Sequence, residues 1–198
     1  MPHYYSRVQE SPLNKEKISA IIRGNNLEFF TGSGVFSKSG IDKGSLLLAN
    51  KAIIEDNWRV LDLGSGYGAI GIAIAKAYPS CSILMSEINR RAVGLAKENI
   101  ILNSLSNAHA IQSDLFEKIM EKFNAILLNP PQSAGKELCV EMIRQSKSFL
   151  LQNGLFQMVA RHNKGGSELE KHMLKVYGNV KQKAKKSGYR IYVSINKG

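Results

Sequence analysis

Three consecutive residues, Asn129-Pro130-Pro131, carry the clearest chemical signal in this sequence. They follow an apolar run at 125–128 that has the composition of a buried strand. The proline rings fix φ and lack N–H groups, so the turn is stiff and its carbonyl acceptors keep fixed directions. An amide oxygen beside such carbonyls can hold a planar amino group by its hydrogens while the nitrogen lone pair stays free to attack. We therefore predict methylation of an amine, with Asn129, Pro130 and Pro131 as the catalytic residues.

A second motif predicts the pocket for a methyl donor. The run at 59–63 has the pattern of a buried strand, and Gly64, Gly66 and Gly68 follow it in a turn that leads into a helix of small residues. Glycines at this spacing let a ligand approach the backbone closely at the start of a helix. Asp62 is placed to meet a charged ammonium group. We expect S-adenosylmethionine as the donor and S-adenosylhomocysteine as its product.

Two acidic residues complete the predicted donor pocket. Glu87 ends the second apolar run, where a carboxylate can accept hydrogen bonds from both hydroxyls of a ribose. Asp114 follows the third apolar run and could accept from an adenine amino group. We predict that both bind the donor, together with Asp62, the three glycines of the turn and Asn129.

The glycine spacing also fits a different ligand. Gly66, Gly68 and Gly71 satisfy the dinucleotide fingerprint, and Glu87 follows after about twenty residues, as that motif expects. A nicotinamide-dependent dehydrogenase is therefore the competing interpretation. The Asn-Pro-Pro turn has no role in hydride transfer, and the position of Asp62 suits an ammonium group, so both favour methyl transfer.

Length and composition bound the class of protein. The chain has 198 residues, of which 43% are hydrophobic. We predict one domain, in which a hairpin and helix at 1–58 cover a catalytic core at 59–198. No apolar run reaches membrane-spanning length, and no signal peptide opens the chain. Cys81 and Cys139 lack metal-ligand spacing, so we expect buried reduced thiols, no metal ion and a cytoplasmic location.

The charge balance indicates a polyanionic partner. A formal net charge of +11 favours contacts with phosphates and raises nucleic acid above small molecules as the substrate. Several basic residues could bind RNA phosphates: Arg161, Lys164, Lys183, Lys185 and Arg190, with Lys181 and Lys186 beside them. Alternating lysines also protect an exposed edge strand against aggregation. Monomer and homodimer both stay open.

Strand and helix signals alternate between residues 59 and 161. This order predicts a Rossmann-like, doubly wound α/β fold, with a mostly parallel seven-stranded sheet and helices on both faces. An antiparallel hairpin is expected at the C-terminal end, around Ser187-Gly188. Further predictions are a hairpin with strands at 27–30 and 34–37, helices at 46–54, 89–102 and 135–151, and a strand at 155–160. We expect Asn89 to cap its helix and Asn153-Gly154 to end the helix before it.

Short motifs along nearly the whole chain support this interpretation: Gly34-Val35-Phe36-Ser37, Asp42-x-Gly44-Ser45, Asp62-Leu63-Gly64-Ser65-Gly66-Tyr67-Gly68, Asn89-Arg90-Arg91-Ala92, Lys97-Glu98-Asn99, Asn129-Pro130-Pro131 and Gly188-Tyr189-Arg190. Together they resemble the class I methyltransferases of the small methyltransferase domain group. Within that group they resemble the RsmC-type ribosomal RNA guanine-N2 methyltransferases and their single-domain archaeal relatives. The resemblance implies methylation of guanine N2 in ribosomal RNA of the small subunit. Transfer RNA guanine and a protein glutamine amide are the alternative substrates.

The sequence departs from that family in two places. The residue after Asn-Pro-Pro is often aromatic there, whereas this chain has Gln132. We expect Gln132 to contact the substrate. Phe36 is expected to line the methionine part of the donor or the target base, or to be a core aromatic. The bacterial ribosomal enzymes also carry a degenerate domain ahead of the catalytic one, so here we expect RNA docking to rest on the basic surface or on a dimer.

Overall fold

The structure, a computed structural model, describes residues 7–9, 12–37 and 40–198, without the side chain of Gln132. Its strands are β1 (Lys15–Ile22), β2 (Asn25–Gly32), β3 (Arg59–Leu63), β4 (Ser82–Glu87), β5 (Ala108–Gln112), β6 (Phe123–Leu128), β7 (Leu150–Arg161), β8 (Lys181–Lys186) and β9 (Tyr189–Ile195). Its α-helices are α1 (Lys43–Lys51), α2 (Ala69–Ala77), α3 (Arg90–Leu102), α4 (Lys136–Ser146) and α5 (Ser167–Tyr177).

Seven strands form one sheet in the order β5-β4-β3-β6-β7-β9-β8, which confirms the predicted fold class. The pairs from β5 to β7 are parallel, and β9 pairs antiparallel with both β7 and β8. The register places the carboxyl ends of three strands side by side, because Leu63 at the end of β3 pairs with Ser86 near the end of β4 and with Leu128 at the end of β6. The loops that follow these strands therefore meet at one edge of the sheet.

Helices cover both faces of the sheet, as predicted. α1, α2, α3 and the β1-β2 hairpin pack in one hydrophobic core, and α4 and α5 pack in the other. α2 lies close to β4 because Gly71 has no side chain: a Cβ there would lie 2.5 Å from Cγ of Met85. The predicted cap is also confirmed, since the side chain of Asn89 accepts from the backbone N–H groups of Arg91 and Ala92 at the start of α3.

The predicted N-terminal hairpin is wrong in its position. β1 and β2 are joined by Arg23-Gly24, whose φ values of 51° and 77° suit a two-residue hairpin turn. The segment 34–37, expected to be a strand, forms turns and a bend instead. The turn is held by tertiary contacts that a sequence pattern does not contain, because the Arg23 guanidinium donates to the carbonyl groups of Ala49 and Ala52.

Two helix boundaries also differ from the predictions. α1 begins at Lys43, before the expected start at residue 46, because Asp42 caps it through the N–H groups of Gly44 and Ser45. α4 ends at Ser146, and β7 already begins at Leu150. Asn153-Gly154, expected to end the helix, lies inside β7 in an irregular stretch where Asn153 takes a positive φ of 64°. There the Asn153 N–H donates to the carbonyl of Asn196.

The hairpin docks on α3 through asparagine side chains. Asn99 accepts from the backbone N–H of Phe30 and donates to its carbonyl, and Asn103 makes the same pair of bonds with Glu28. Asn99 also donates to the carbonyl of Tyr67 in the glycine turn. These bonds fix the position of the hairpin on the core, and the assignment of the whole chain to one domain stays a prediction.

Two further predictions concern the thiols and the membrane. Cys81 and Cys139 are both free and buried, which confirms the expectation of core thiols. Burial raises the pKa of the Cys139 thiol to about 11, so it stays protonated at neutral pH. Among the described residues, every helix is too short or too polar to cross a bilayer.

Candidate active site

A cavity of about 200 Å³ opens at the carboxyl edge of the parallel strands. The loops after β3, β4, β5 and β6 contribute to its wall, and so do the segment before α1 and the side of α4. The predicted site residues in this wall are Phe36, Gly64, Gly66, Glu87, Asp114, Asn129, Pro130 and Pro131. The fold thus brings the predicted donor pocket and the Asn-Pro-Pro turn into one cavity.

The glycine turn after β3 forms the floor of this cavity. Gly64 and Gly66 have φ values of 68° and 57°, a conformation that favours glycine. A Cβ on Gly66 would meet no atom within 4 Å, so the backbone here is open to a ligand. Gly68 stands back from the cavity wall, and a Cβ there would lie 3.0 Å from the sulfur of Met85. Its predicted contact with the donor stays a prediction.

Glu87 lies at the end of β4 with its carboxylate held by the backbone. Oε2 accepts from the N–H of Gly66 at 2.9 Å, and Oε1 accepts from the N–H of Asn89 at 2.8 Å. Burial raises the pKa of the Glu87 carboxyl, while these two bonds act in the opposite direction. Each oxygen keeps lone pairs for a further donor, which suits the two hydroxyls of a ribose.

Asp62 lies behind the glycine turn and outside the cavity wall. It is 1% exposed, and its Oδ2 accepts from the N–H of Gly71 in α2 at 2.8 Å. Its Oδ1 is buried without a hydrogen-bond partner among the described residues. Burial raises the pKa of Asp62 to about 7, with a smaller contribution from the charge of Glu87. Its predicted contact with an ammonium group stays a prediction.

Asp114 lies on the rim of the cavity. Its side chain is 41% exposed and forms an ion pair with Arg7, at 3.0 Å from Oδ2 to Nη2. The pair is solvated, so its contribution to stability is small. The role of Asp114 in binding adenine stays a prediction.

Asn129 follows β6 and lies in the cavity wall together with Asp42 and Ser45. Nδ2 donates to Oδ2 of Asp42 at 3.1 Å and to Oγ of Ser45 at 2.9 Å. A carboxylate can only accept hydrogen bonds, so the amide must present its NH₂ end to Asp42. The amide oxygen is then left to accept hydrogen bonds from a molecule in the cavity, beside Pro130.

Asp42 and Ser45 are site residues that the chemical interpretation of the sequence missed. The Asp42-x-Gly44-Ser45 motif contains both residues, but the sequence alone indicates only a family resemblance for this motif and no chemical role. A third missed residue is Tyr189, whose hydroxyl donates to Oδ1 of Asp42 at 3.1 Å. Burial and the charge of Asp42 raise the pKa of Tyr189, so this hydroxyl keeps its proton at neutral pH.

Phe36 lines the cavity with 39% of its surface exposed, which places it within reach of a ligand. Gln132 follows Pro131 in a short 3₁₀ turn, and its side chain lies outside the described part of the structure. Their contacts with a substrate stay predictions.

The predicted phosphate-binding residues do not form one surface. Cross-strand partners share a face of a sheet, and neighbours along a strand point to opposite faces. Arg161, Tyr189 and Lys186 form one row across β7, β9 and β8, whereas Arg190 and Lys185 belong to the next row. The first row lies on the face of Asp42, and the guanidinium of Arg161 stacks on the Tyr189 ring at 5.3 Å.

The remaining two basic residues are exposed at other points of this region. Lys164 lies in the segment His162–Gly166 after β7, and Lys183 lies in β8. β8 is the edge strand of the sheet, next to β9 alone. Its lysines therefore also fit the alternative interpretation, protection of an edge.

The family of this chain follows from comparison with known sequences. A family model described as methyltransferase small domain matches residues 26–193. The chain belongs to the methyltransferase small domain family. This membership confirms the resemblance that the sequence motifs indicated.

The methyltransferase small domain described here is similar to several curated proteins. It is 34% identical over 192 residues to the uncharacterized protein YbxB of Bacillus subtilis (strain 168), and the match covers 96% of each chain. It is 35% identical over 139 residues to ribosomal RNA small subunit methyltransferase C of Haemophilus influenzae, which covers 68% of this chain and 42% of that protein. The chain spans about half the length of the ribosomal RNA methyltransferases that it matches.

Solved structures share the fold. One is described as "T. Thermophilus 16S rRNA N2 G1207 methyltransferase (RsmC) in complex with AdoMet and Guanosine", with a TM-score of 0.80 and 24% identity over 93% of this chain and 51% of that one. A methyltransferase from Pyrococcus furiosus has a TM-score of 0.66 at 19% identity, over 76% of this chain and 80% of that one. At these identities the likeness concerns the Rossmann-like fold alone.

Proposed function

We propose that this protein is an S-adenosylmethionine-dependent methyltransferase that modifies the exocyclic amine, N2, of guanine in ribosomal RNA of the small subunit. The observation that carries the proposal is the position of Asn129. Its amide oxygen is left to accept hydrogen bonds in the same cavity that Gly66 and Glu87 line. Membership of the methyltransferase small domain family supports the class of reaction.

The residues of the cavity fit S-adenosylmethionine. The backbone at Gly66 is open, so the donor can lie against the turn, and the held carboxylate of Glu87 suits its ribose. Asp114 on the rim is the candidate for its adenine, and the apolar part of the wall includes Leu115 and Met142. When bound, this donor supplies a methyl group activated by the positive sulfonium.

Asn129 and Pro130 hold the amine that receives the methyl group. The amide oxygen of Asn129 and the carbonyl of Pro130 accept its two hydrogens, which aims the nitrogen lone pair. The same two acceptors stabilise the positive charge that develops on the nitrogen, so the protein acts through positioning and electrostatics. A strong general base is unnecessary, because the nitrogen loses a proton readily once it carries the extra group.

RNA is the proposed partner for two reasons. The net charge of +11 favours a polyanion, and Arg161 and Lys186 share a row with Tyr189, whose hydroxyl contacts Asp42 in the cavity wall. The curated relatives include several named ribosomal RNA small subunit methyltransferase C, which favours ribosomal RNA over transfer RNA. A protein glutamine amide is the competing substrate, because its NH₂ group could be held in the same way.

Labelled-methyl transfer tests the proposal. The protein is incubated with labelled S-adenosylmethionine and separated fractions of ribosomal RNA, transfer RNA and protein, and the digested nucleosides are analysed by mass spectrometry. We expect N2-methylguanosine in ribosomal RNA. Label in transfer RNA would change the target and keep the chemistry, and label only in protein would overturn the assignment of an RNA substrate.

A further inference from the structure

The carboxylate of Asp42 lies next to the side chain of Asn129 in the cavity wall, and the proposed reaction does not use it directly. Asp42 receives hydrogen bonds from four donors in the described part of the structure. Its Oδ2 accepts from Gly44 N at 2.9 Å, Ser45 N at 3.0 Å and Asn129 Nδ2 at 3.1 Å. Its Oδ1 accepts from the Tyr189 hydroxyl at 3.1 Å. An N-terminal cap needs only the first two of these bonds.

The bond to Asn129 has a chemical consequence. An asparagine side chain presents an acceptor on one end and donors on the other, and the two ends have nearly the same shape. With a carboxylate beside it, the flipped amide would place its oxygen against a negative charge. In this orientation the Ser45 hydroxyl oxygen accepts the second amide hydrogen at 2.9 Å, so both amide hydrogens have acceptors. The carboxylate of Asp42 thus determines that the amide oxygen of Asn129 is the end that faces the amine.

We propose that Asp42 is a positioning residue, which fixes the amide oxygen of Asn129 toward the substrate amine and raises its strength as an acceptor. The negative charge polarises the amide, so the oxygen that faces the amine becomes more negative. The same charge favours the positive nitrogen that develops during transfer. This inference rests on the proposed function for the identity of the amine, but the orientation of the Asn129 amide can be measured without any substrate.

The surroundings of Asp42 hold the carboxylate in place. The ring of Tyr189 lies over the first turn of α1, where a Cβ on Gly44 would be 2.8 Å from the ring and 2.9 Å from Oδ2 of Asp42. Glycine at this position therefore lets the tyrosine reach the carboxylate. Asp42, Gly44, Ser45 and Tyr189 form one arrangement around the amide of Asn129, which accounts for the Asp-x-Gly-Ser motif.

Three variants separate positioning from helix capping. Asp42→Asn keeps the shape, because its oxygen can take the place of Oδ2 while its NH₂ donates to the Tyr189 hydroxyl oxygen. Asp42→Ser keeps the cap, since serine caps helices as well as aspartate does, but its side chain is too short to hold Asn129 as well. Asp42→Ala loses both functions. Asp56→Ala is the matched control, because Asp56 is an exposed acidic residue that accepts a hydrogen bond from the Ser80 hydroxyl.

The first measurement is nuclear magnetic resonance of the side-chain amide of Asn129, identified by its loss in Asn129→Asp. We expect both amide protons of the unmodified protein to be shifted and protected from exchange with water. In Asp42→Ser and Asp42→Ala, but not in Asp56→Ala, they should exchange like those of a solvated asparagine. Rapid exchange in the unmodified protein would overturn the proposal whatever the substrate is.

The second measurement is the rate of methyl transfer to whichever fraction accepts the label. We expect kcat to fall about 100-fold in Asp42→Ser and Asp42→Ala, and about tenfold or less in Asp42→Asn, in keeping with the cost of misplacing a reacting group. KM for the substrate and the affinity for S-adenosylhomocysteine should stay near those of the unmodified protein. Asp42→Ser should unfold at the same temperature as the unmodified protein. A kcat in Asp42→Ser equal to that of the unmodified protein would overturn the proposal and leave the proposed function intact.

Discussion

The carboxylate of Glu87 accepts a hydrogen bond from the backbone N–H of Gly66, with 2.9 Å between Oε2 and N. This bond joins the end of β4 to the glycine turn that follows β3. The turn is also tied to β4 by the N–H groups of Gly64 and Ser65, which both donate to the carbonyl of Ser86. The turn and the carboxylate therefore form one rigid part of the cavity wall before any ligand binds.

Glu87→Gln should weaken binding of S-adenosylhomocysteine about 10- to 100-fold, the usual value of a hydrogen bond to a charged group. The amide cannot accept from Gly66 and Asn89 and also from two ribose hydroxyls, because one end of it is a donor. Isothermal titration measures the change. Glu121→Gln is the control, since Glu121 forms an exposed ion pair with Arg59. An unchanged dissociation constant for Glu87→Gln would contradict the role of Glu87.

Asn129→Ala should lower kcat by about 100- to 1000-fold, the loss expected when one preorganised group that stabilises transition-state charge is removed. Binding of S-adenosylhomocysteine should change little, because the turn at Gly66 and the carboxylate of Glu87 stay in place. Asn124→Ala is a matched control in β6, the strand that precedes Asn129, where the Asn124 side chain accepts from the N–H of Arg59. Near-normal turnover by Asn129→Ala would exclude the proposed catalytic role.

Asp62 should make the stability of the protein depend on pH. Its pKa is raised from 3.8 to about 7 in the folded state, so folding favours the protonated form. The protein should therefore lose stability relative to Asp62→Asn as the pH rises from 4 through 7. A shift of this size corresponds to a difference of up to about 4 kcal/mol at pH 8. Urea unfolding of both proteins at pH 5 and pH 8 tests this, and a difference that is the same at both values would contradict it.

The two rows of basic residues should differ in their effect on RNA binding. Arg161→Glu with Lys186→Glu changes the row on the sheet face of Tyr189 and Asp42, and Lys185→Glu with Arg190→Glu changes the row on the opposite face. We expect the first pair to weaken RNA binding strongly and to reduce the slope of log K against log salt by about 0.7 for each lost phosphate contact. The second pair changes the net charge equally and is the control. Fluorescence anisotropy across a salt series measures both, and equal losses would indicate an attraction that depends on charge alone.

The parallel sheet could be predicted because its signals are local. Buried strands appear as apolar runs, α2 appears as a continuous run of small residues, and the cap Asn89 directly precedes its own helix. The first hairpin could not be predicted in this way. Its turn contains Arg23 at positive φ, and the carbonyl groups that stabilise this arginine belong to Ala49 and Ala52 at the C-terminal end of α1.

The candidate site likewise contains residues that could be predicted from local sequence and contacts that could not. Glu87, Gly66 and Asn129 could be predicted because each lies at the end of an apolar run or within three residues after it. The contact between Asp42 and Asn129 joins residues that are 87 positions apart, and the contact between Asp42 and Tyr189 spans 147. The spacing of residues along a sequence does not predict contacts between residues that are so far apart. The split of the basic residues between two rows also needed the register of β7, β8 and β9, which depends on the irregular pairing within β8.

Asn99 links two parts of the molecule that are far apart in the sequence. Its side chain bonds to Phe30 in the hairpin and to the carbonyl of Tyr67 in the glycine turn. The hairpin cannot detach without releasing one support of the turn, so the two regions belong to one unit of local unfolding. A ligand that binds the turn therefore also opposes the opening of the hairpin, although β1 and β2 contribute no residue to the described cavity wall.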